Sequence, residues 1–201
     1  LRNTYNFFAL YANTDNIDIN ECNIDYKDLE DTDKWLLSKY HNLLKYVTES
    51  YEEYDLNKVV KALTNFVSED LSNWYIRRNR DRFWGSEFNN SKKAVYKTTY
   101  DVLVGLSKII APITPFIAEE IYQKLTKKES VHLENFPKHE ESLIDNKLEN
   151  KMDLVRKLIS IGRMVREENK IKVRQPLSEC LLAGESETII GDLDILILEE
   201  L

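Results

Sequence analysis

The densest chemistry in the sequence lies in thirteen residues, Ser72 to Trp84, which read Ser-Asn-Trp-Tyr-Ile-Arg-Arg-Asn-Arg-Asp-Arg-Phe-Trp. Four arginines (Arg77, Arg78, Arg80, Arg82) are interleaved with four aromatics (Trp74, Tyr75, Phe83, Trp84). A guanidinium is planar and permanently charged, so it fits phosphate oxygens or lies flat on a ring. Exposed aromatics stack on unpaired bases. Two readings stand at this point: a surface that faces RNA, or core aromatics with salt-bridged arginines beside them.

A second basic stretch follows later. Arg156, Arg163 and Lys170 recur every seven residues, with Arg166 between them and Lys172, Arg174 and Gln175 just beyond. On one helix the first three would span about 21 Å at about 1.5 Å per residue, enough to track several phosphates. A solvated helix face is the competing reading. The formal net charge of −7 argues against a polyanionic partner, but its distribution argues the other way. Residues 72–97 and 156–174 each carry seven basic and two acidic side chains, inside an otherwise acidic chain. Such segregation focuses a polyanion onto limited surfaces while the remaining acid discourages indiscriminate binding.

Other chemistry has no foothold. The five glycines (Gly85, Gly105, Gly162, Gly184, Gly191) are scattered and form no phosphate-cradling loop. Cys22, Cys180, His41, His132 and His139 show no metal-ligand spacing. The paired acids Glu119-Glu120 and Glu167-Glu168 diverge by about 100° on a helix and make no acid–base dyad. No self-contained active site and no metal are expected. With no apolar run near the length of a membrane span, no signal-like segment and no cysteine pair, the reading is a reduced, cytoplasmic protein. The chain opens on Leu1 without methionine and stops in the apolar stretch Ile195 to Leu198, so we expect a piece of a longer polypeptide.

The elements that must carry these residues are mainly helical. Apolar steps of three and four predict a first helix over residues 1–12 and a loop from Asn13 to Glu30. Asp31 or Thr32 should cap a helix with the stripe Trp35, Leu36, Tyr40, Leu43, Leu44, Val47 and Tyr51. Asp55 should cap the next, whose stripe Leu56, Val60, Leu63, Val67, Leu71, Trp74 continues in phase, at about 100° per residue, through Arg78 and Arg82. Those two arginines would be buried without partners unless the helix outruns the bundle and meets RNA phosphate or a neighbouring domain. Arg77 and Arg80 point to flanking and opposite sides. Ser91 should cap a helix that buries Val95, Val102, Leu103, Leu106, Ile109 and Ile110. Thr114 and Pro115 start another, ending at Leu125, and Val131 to Pro137 reads as short and extended. A long helix, Ser142 to Glu168, carries the inner line Ile144, Leu148, Val155, Leu158, Ile159, Gly162, Val165, where Gly162 suggests close approach of another backbone. Ile171 to Ser178 alternates and, with Cys180 to Ala183, predicts a strand; Thr188 to Leu201 predicts a helix. The expected organisation is a helical bundle over 1–138, a long helix over 139–170 that completes it, and over 171–201 the start of a small α+β module.

Ser72 through Trp84, with Trp74-Tyr75-Ile76-Arg77-Arg78 followed by Arg82-Phe83-Trp84, resembles the signature of the helical anticodon-binding domain of isoleucyl-tRNA synthetases. Ala111-Pro112-Ile113-Thr114-Pro115-Phe116-Ile117-Ala118-Glu119-Glu120-Ile121-Tyr122 is similar to a segment shared by the class I valyl, leucyl and isoleucyl enzymes. Ser130 to Pro137, and Val165-Arg166-Glu167-Glu168 through Arg174-Gln175-Pro176-Leu177, fit the same order and spacing. The resemblance implies a parent enzyme that joins isoleucine to its tRNA with ATP and Mg through an isoleucyl-adenylate. The family's ATP-site motifs, HIGH and KMSKS, are not in this sequence, so the chemistry belongs elsewhere. It further implies tRNA-Ile and the catalytic and editing domains of the same polypeptide as partners, in a monomer. On that resemblance Arg78 and Arg82 would touch RNA or the catalytic domain, Arg77 and Arg80 phosphates, and Trp84 a base or the helix end. Arg156, Arg163, Arg166, Lys170, Lys172 and Arg174 would form a second phosphate-facing strip, with Asn79 or Gln175 reading bases. The equivalent domain of a valyl or other class I synthetase, or a helical protein-interaction module with no RNA affinity, stays open at this stage.

Overall fold

Periodicity translates into burial most directly in α2 (Asp31–Glu52), where Trp35, Leu36, Tyr40, Leu43, Leu44 and Val47 all turn inward. The computed structural model describes residues 1–182 and 190–201, which divide into two compact units, Leu1–Ile144 and Asp145–Leu201. The first unit is a helical bundle, as the composition and the stripes predict. It contains α1 (Arg2–Thr14), α2, α3 (Leu56–Asn65), α4 (Arg80–Trp84), α5 (Asn90–Ile110) and α6 (Pro115–Thr126).

At the centre lies α5, packed against α1, α2, α4 and α6. All six apolar residues predicted for its inner face are buried. Gly105 belongs to that face for a steric reason: a Cβ there would overlap the phenol ring of Tyr40. Helix α6 starts at Pro115, whose missing N–H costs nothing at a first helical position. Its Glu119 accepts hydrogen bonds from the Ser130 hydroxyl (3.1 Å) and the Val131 N–H (2.8 Å), tying the following turn down. Val131–Leu133, expected to be extended, is a 3-10 turn that Ser130 caps.

Two caps differ from expectation. Glu30, not Asp31 or Thr32, opens α2, in a reciprocal arrangement with Asp33. Asn89, not Ser91, opens α5 by accepting from the Lys92 N–H. Asp55 caps α3 as predicted.

A further difference concerns helical winding. Beyond α3 the chain runs as π-helix from Phe66 to Ile76, then breaks at Asn79 before α4. In a π-helix the N–H bonds to the carbonyl five residues back, so each residue turns through a smaller angle than in an α-helix. The buried line is Val59, Leu63, Phe66, Leu71, Trp74 and Tyr75; Leu56 and Val60, on α3 before the π-helical segment, face solvent. Of the expected stripe, Leu63, Leu71 and Trp74 are buried and Arg82 is only 12% exposed, so its later members keep to the inner side.

In the second unit α7 (Asn146–Glu168) starts at Asp145, whose carboxylate accepts from the N–H groups of Lys147 and Leu148, both at 3.0 Å. Met152, Val155 and Ile159 are buried, whereas Val165 is exposed. Gly162 makes room for the side chain of Leu201, not for a backbone. The short helix α8 (Asp194–Glu200) packs on α7. There is no strand among the described residues: Ile171 to Ser178 is irregular with a turn, and no described segment pairs with its N–H and C=O groups as a strand would. Ala183 and Thr188, parts of the strand and helix expectations, lie outside the described residues. No helix among those residues is long and apolar enough to cross a membrane.

A polar contact closes the first unit. The Glu140 N–H donates to Nδ1 of the buried His41 at 3.0 Å, and Lys45 pairs with Glu141 at 2.8 Å. Burial lowers the His41 pKa from 6.5; the Glu140 charge opposes that shift, and His139 adds to it. The folded state thus binds fewer protons than the unfolded chain in this range. The resulting stabilisation is complete above about pH 6.5 and is lost as pH falls toward and through the lowered folded value. The stability difference between wild type and His41→Phe, measured by urea unfolding, should therefore shrink between pH 7.5 and 5. A difference independent of pH would show that His41 is not the titrating acceptor.

Candidate nucleic-acid interface

Arg82 does not leave the bundle. Its side chain is 12% exposed and meets Asp33 of α2, whose side chain is fully buried. The pair is bidentate: Nη1 donates to Oδ1 at 2.9 Å and Nη2 to Oδ2 at 2.7 Å. Nε donates to Ser91 Oγ, the second Nη2 proton goes to the Ser91 carbonyl, and Nη1 also reaches Asn79 Oδ1. With two protons on each Nη and one on Nε, every donor of the guanidinium has a partner. Asp33 in turn accepts from the Tyr75 hydroxyl at 2.6 Å. Glu30 accepts from Ser91 and stands 3.4 Å from Arg82.

Burial alone would lower the Arg82 pKa; its hydrogen bonds to Asp33, with the negative charges of Asp33 and Glu30, outweigh it and raise it. Tyr75 moves well upward, first by burial and then by the negative charge of Asp33. The network joins α2, the end of the π-helical segment, α4 and the first turn of α5. Arg82 is thus a structural cation, and the assignment of RNA contact to it is corrected. Asn79 is corrected too. Buried, it donates to the Tyr75 carbonyl at 2.9 Å and accepts from Arg82, so its amide is not presented to a base.

What this network holds outward is the rest of the motif. Arg80 is exposed on the first turn of α4. Arg77 is half-buried and anchored by Nε to the Asn73 carbonyl at 2.9 Å. The Arg78 guanidinium lies 5.7 Å from the centre of the buried Trp74 ring, and the residue is half-buried. Trp84 is 51% exposed at the end of a train of rings. It sits 6.2 Å from Tyr11, Tyr11 lies 4.9 Å from Phe7, Phe7 5.2 Å from Phe83, and Phe83 5.0 Å from Tyr96 in the core. Of this motif Arg80 and Trp84 are exposed and Arg77 is partly so.

The second unit shows the same division. Arg166, expected in a phosphate-facing strip, is buried. Nη1 donates to the carbonyls of Lys172 (3.0 Å) and Gln175 (2.9 Å), and Nη2 to that of Leu201. It is corrected to the residue that shapes the 170–175 turn. Arg163 pairs with Glu200, and Arg156 lies 4.0 Å from Asp153. Lys170, in left-handed conformation (φ +57°) just past α7, and Lys172, Arg174 and Gln175 are exposed on that turn. Exposed lysines also stand along α7 at Lys147, Lys151 and Lys157, so the basic surface of this unit is not confined to the turn. Among the described residues no group of three His, Cys, Asp or Glu is placed to hold a metal ion.

Sequence reasoning missed Asp33, Tyr75 and Ser91 as partners of Arg82. The one local sign was Glu30-x-x-Asp33, the spacing of a reciprocal cap; nothing in it points to an arginine forty-nine residues away.

Comparison with known proteins adds a family and relatives. Residues 33–181 match the family described as the anticodon-binding domain of tRNA ligase. The isoleucine–tRNA ligase of Cytophaga hutchinsonii is 44% identical over 188 residues, covering 90% of this chain and 17% of that protein. That of Clostridium novyi is 44% identical over 195 residues, covering 92% and 18%. That of Porphyromonas gingivalis is 39% identical over 204 residues, covering 100% and 18%. The chain thus spans under a fifth of the length of these relatives.

Removing one partner of a buried pair strands the other. Arg82→Ala should cost about 3–5 kcal/mol in urea unfolding, and Arg82→Lys should recover only part, since an ammonium cannot reproduce the fork. In Asp33→Ala/Arg82→Ala the two losses should fall well short of additive. Additive losses, or a cost below about 1 kcal/mol for Arg82→Ala, the range of exposed pairs, would show that the network does not support the site.

Proposed function

This chain belongs to the anticodon-binding domain family of tRNA ligases, and from that premise we propose that it is the part of an isoleucine–tRNA ligase that grips the anticodon stem-loop of tRNA-Ile. The isoleucine assignment is supported by relatives of that name at 39–44% identity across 90% or more of this chain. The observation that carries the RNA-binding role is the division of the arginine motif: Arg82 is spent inside the bundle, while Arg77 and Arg80 stand outward on the frame it braces.

In this reading the domain works by positioning. Arg77 and Arg80 contact phosphates, Arg78 adds charge beside Trp74, and Trp84 offers a ring face to a base. In the second unit Lys170, Lys172 and Arg174 contribute further phosphate contacts, with Gln175 as a base-reading candidate beside them. The residues from 171 onward open a C-terminal module that also touches tRNA. Contacts of this kind set orientation and salt dependence and carry little base information. The stem-loop is held while the acceptor end reaches a catalytic domain in the same polypeptide, a cytoplasmic monomer with its editing domain. The ATP and Mg of the parent reaction belong to that catalytic domain.

The test is binding of a tRNA-Ile transcript at two salt concentrations. Arg77→Ala/Arg80→Ala should weaken binding and reduce the salt slope by about two, one per lost phosphate contact, with the urea midpoint unchanged. Equal affinity and slope in wild type and variant would retire these two residues as the phosphate contacts.

A further inference from the structure

If Asn79 faces inward, the first unit lacks the base-reading group that its sequence suggests, although its phosphate contacts lie close by. A groove on the same helical pair supplies what is missing. Helix α2 runs antiparallel to α3 and the π-helical segment, and between them is an open hollow of about 250 Å³. Its floor is apolar: Leu43 and Phe66 are buried there. On its rim stand Tyr46, 45% exposed, and Asn65, exposed at the last residue of α3. Asn42 and Asp70 also line it.

The groove opens where α-helix gives way to π-helix, at Asn65 and Phe66. The wider turn carries the following backbone out of α-helical register, and π-helical turns recur at functional sites. Its chemistry is that of a site for an unpaired nucleobase: an apolar floor, a phenol ring to lie against a base face, and an amide that both donates and accepts. The exposed Lys61 stands four residues before Asn65 on the same face of α3, a positive charge beside the hollow for the strand's phosphates. Arg77 and Arg78 follow along the same segment, about 10 Å beyond Asp70 by helical rise, a distance a strand covers in a few nucleotides.

We propose that this groove takes one unstacked base of the bound RNA, with Tyr46 as the stacking face and Asn65 as the group that reads its edge. The inference rests on the tRNA-binding reading above. It gives the domain a source of base discrimination, which arginine–phosphate contacts do not provide.

The experiment titrates wild type, Tyr46→Ala, Tyr46→Phe and Asn65→Ala with a tRNA-Ile transcript and with an anticodon-altered transcript, each at two salt concentrations. Tyr46→Ala should weaken binding roughly 5- to 150-fold, the worth of one stacked base, with the salt slope unchanged because no phosphate contact is lost. Tyr46→Phe keeps the ring face and should bind like wild type. Asn65→Ala should narrow the gap between the two transcripts. If wild type binds with salt sensitivity while Tyr46→Ala and Asn65→Ala match it on both transcripts, the groove is empty and the proposal is overturned, with the phosphate reading intact. If wild type shows no salt-sensitive binding to either transcript, the tRNA reading falls and the groove proposal falls with it.

Discussion

A fully buried carboxylate in a helical bundle must be matched or neutralised, and Asp33 is matched by Arg82 across forty-nine residues of chain. Two ions taken out of water recover their desolvation only where geometry is good and spare hydrogen-bonding capacity is filled. Both conditions hold here, through the bidentate pair and through Tyr75, Asn79, Ser91 and Glu30. Because those partners come from four elements, the interaction fixes how α4 sits on α2 and α5. It therefore fixes where Arg80 and Trp84 emerge. Attachment of this kind gives the charges of a short helix such as α4 a fixed direction, where looseness would spread them over many.

The overall charge of the chain fits this division of labour. The buried Arg82 is surrounded by acid that came with the fold, Asp33 and Glu30, while the buried Arg166 is held by backbone carbonyls. Basic residues outnumber acidic ones in residues 72–97 and 156–174. A net-negative chain can carry two local positive surfaces in this way without attracting polyanions everywhere.

Much of the architecture was legible because amphipathic helices announce themselves. The α2 and α5 stripes, the Asp55 cap and the Thr114-Pro115 start all follow from local rules and hold in the structure. What failed was non-local or non-standard. The Arg78–Arg82 line assumed about 100° per residue; π-helical turns intervene between Phe66 and Ile76, yet Arg82 still faces inward, with the partners the sequence did not reveal. Arg82 and Arg166 looked like surface cations because side-chain type does not reveal a partner that only folding brings near, here Asp33 for one and three backbone carbonyls for the other. The Ile171–Ser178 alternation is real, but alternation makes a strand only where a neighbour exists to pair with it.

The eleven π-helical residues also make chain length a variable in its own right. Most side chains between Phe66 and Ile76 could be exchanged for others of similar size without moving the backbone path. Deleting one residue would not be absorbed in the same way. A turn closed by one residue fewer falls back toward α-helical winding, and everything downstream rotates about the helix axis by a large fraction of a right angle or more. Arg82 would then swing off Asp33 and the arginine face would be presented to a different side of the bundle. In this stretch spacing carries information that composition does not, so an insertion or deletion is a more severe lesion than nearly any single exchange.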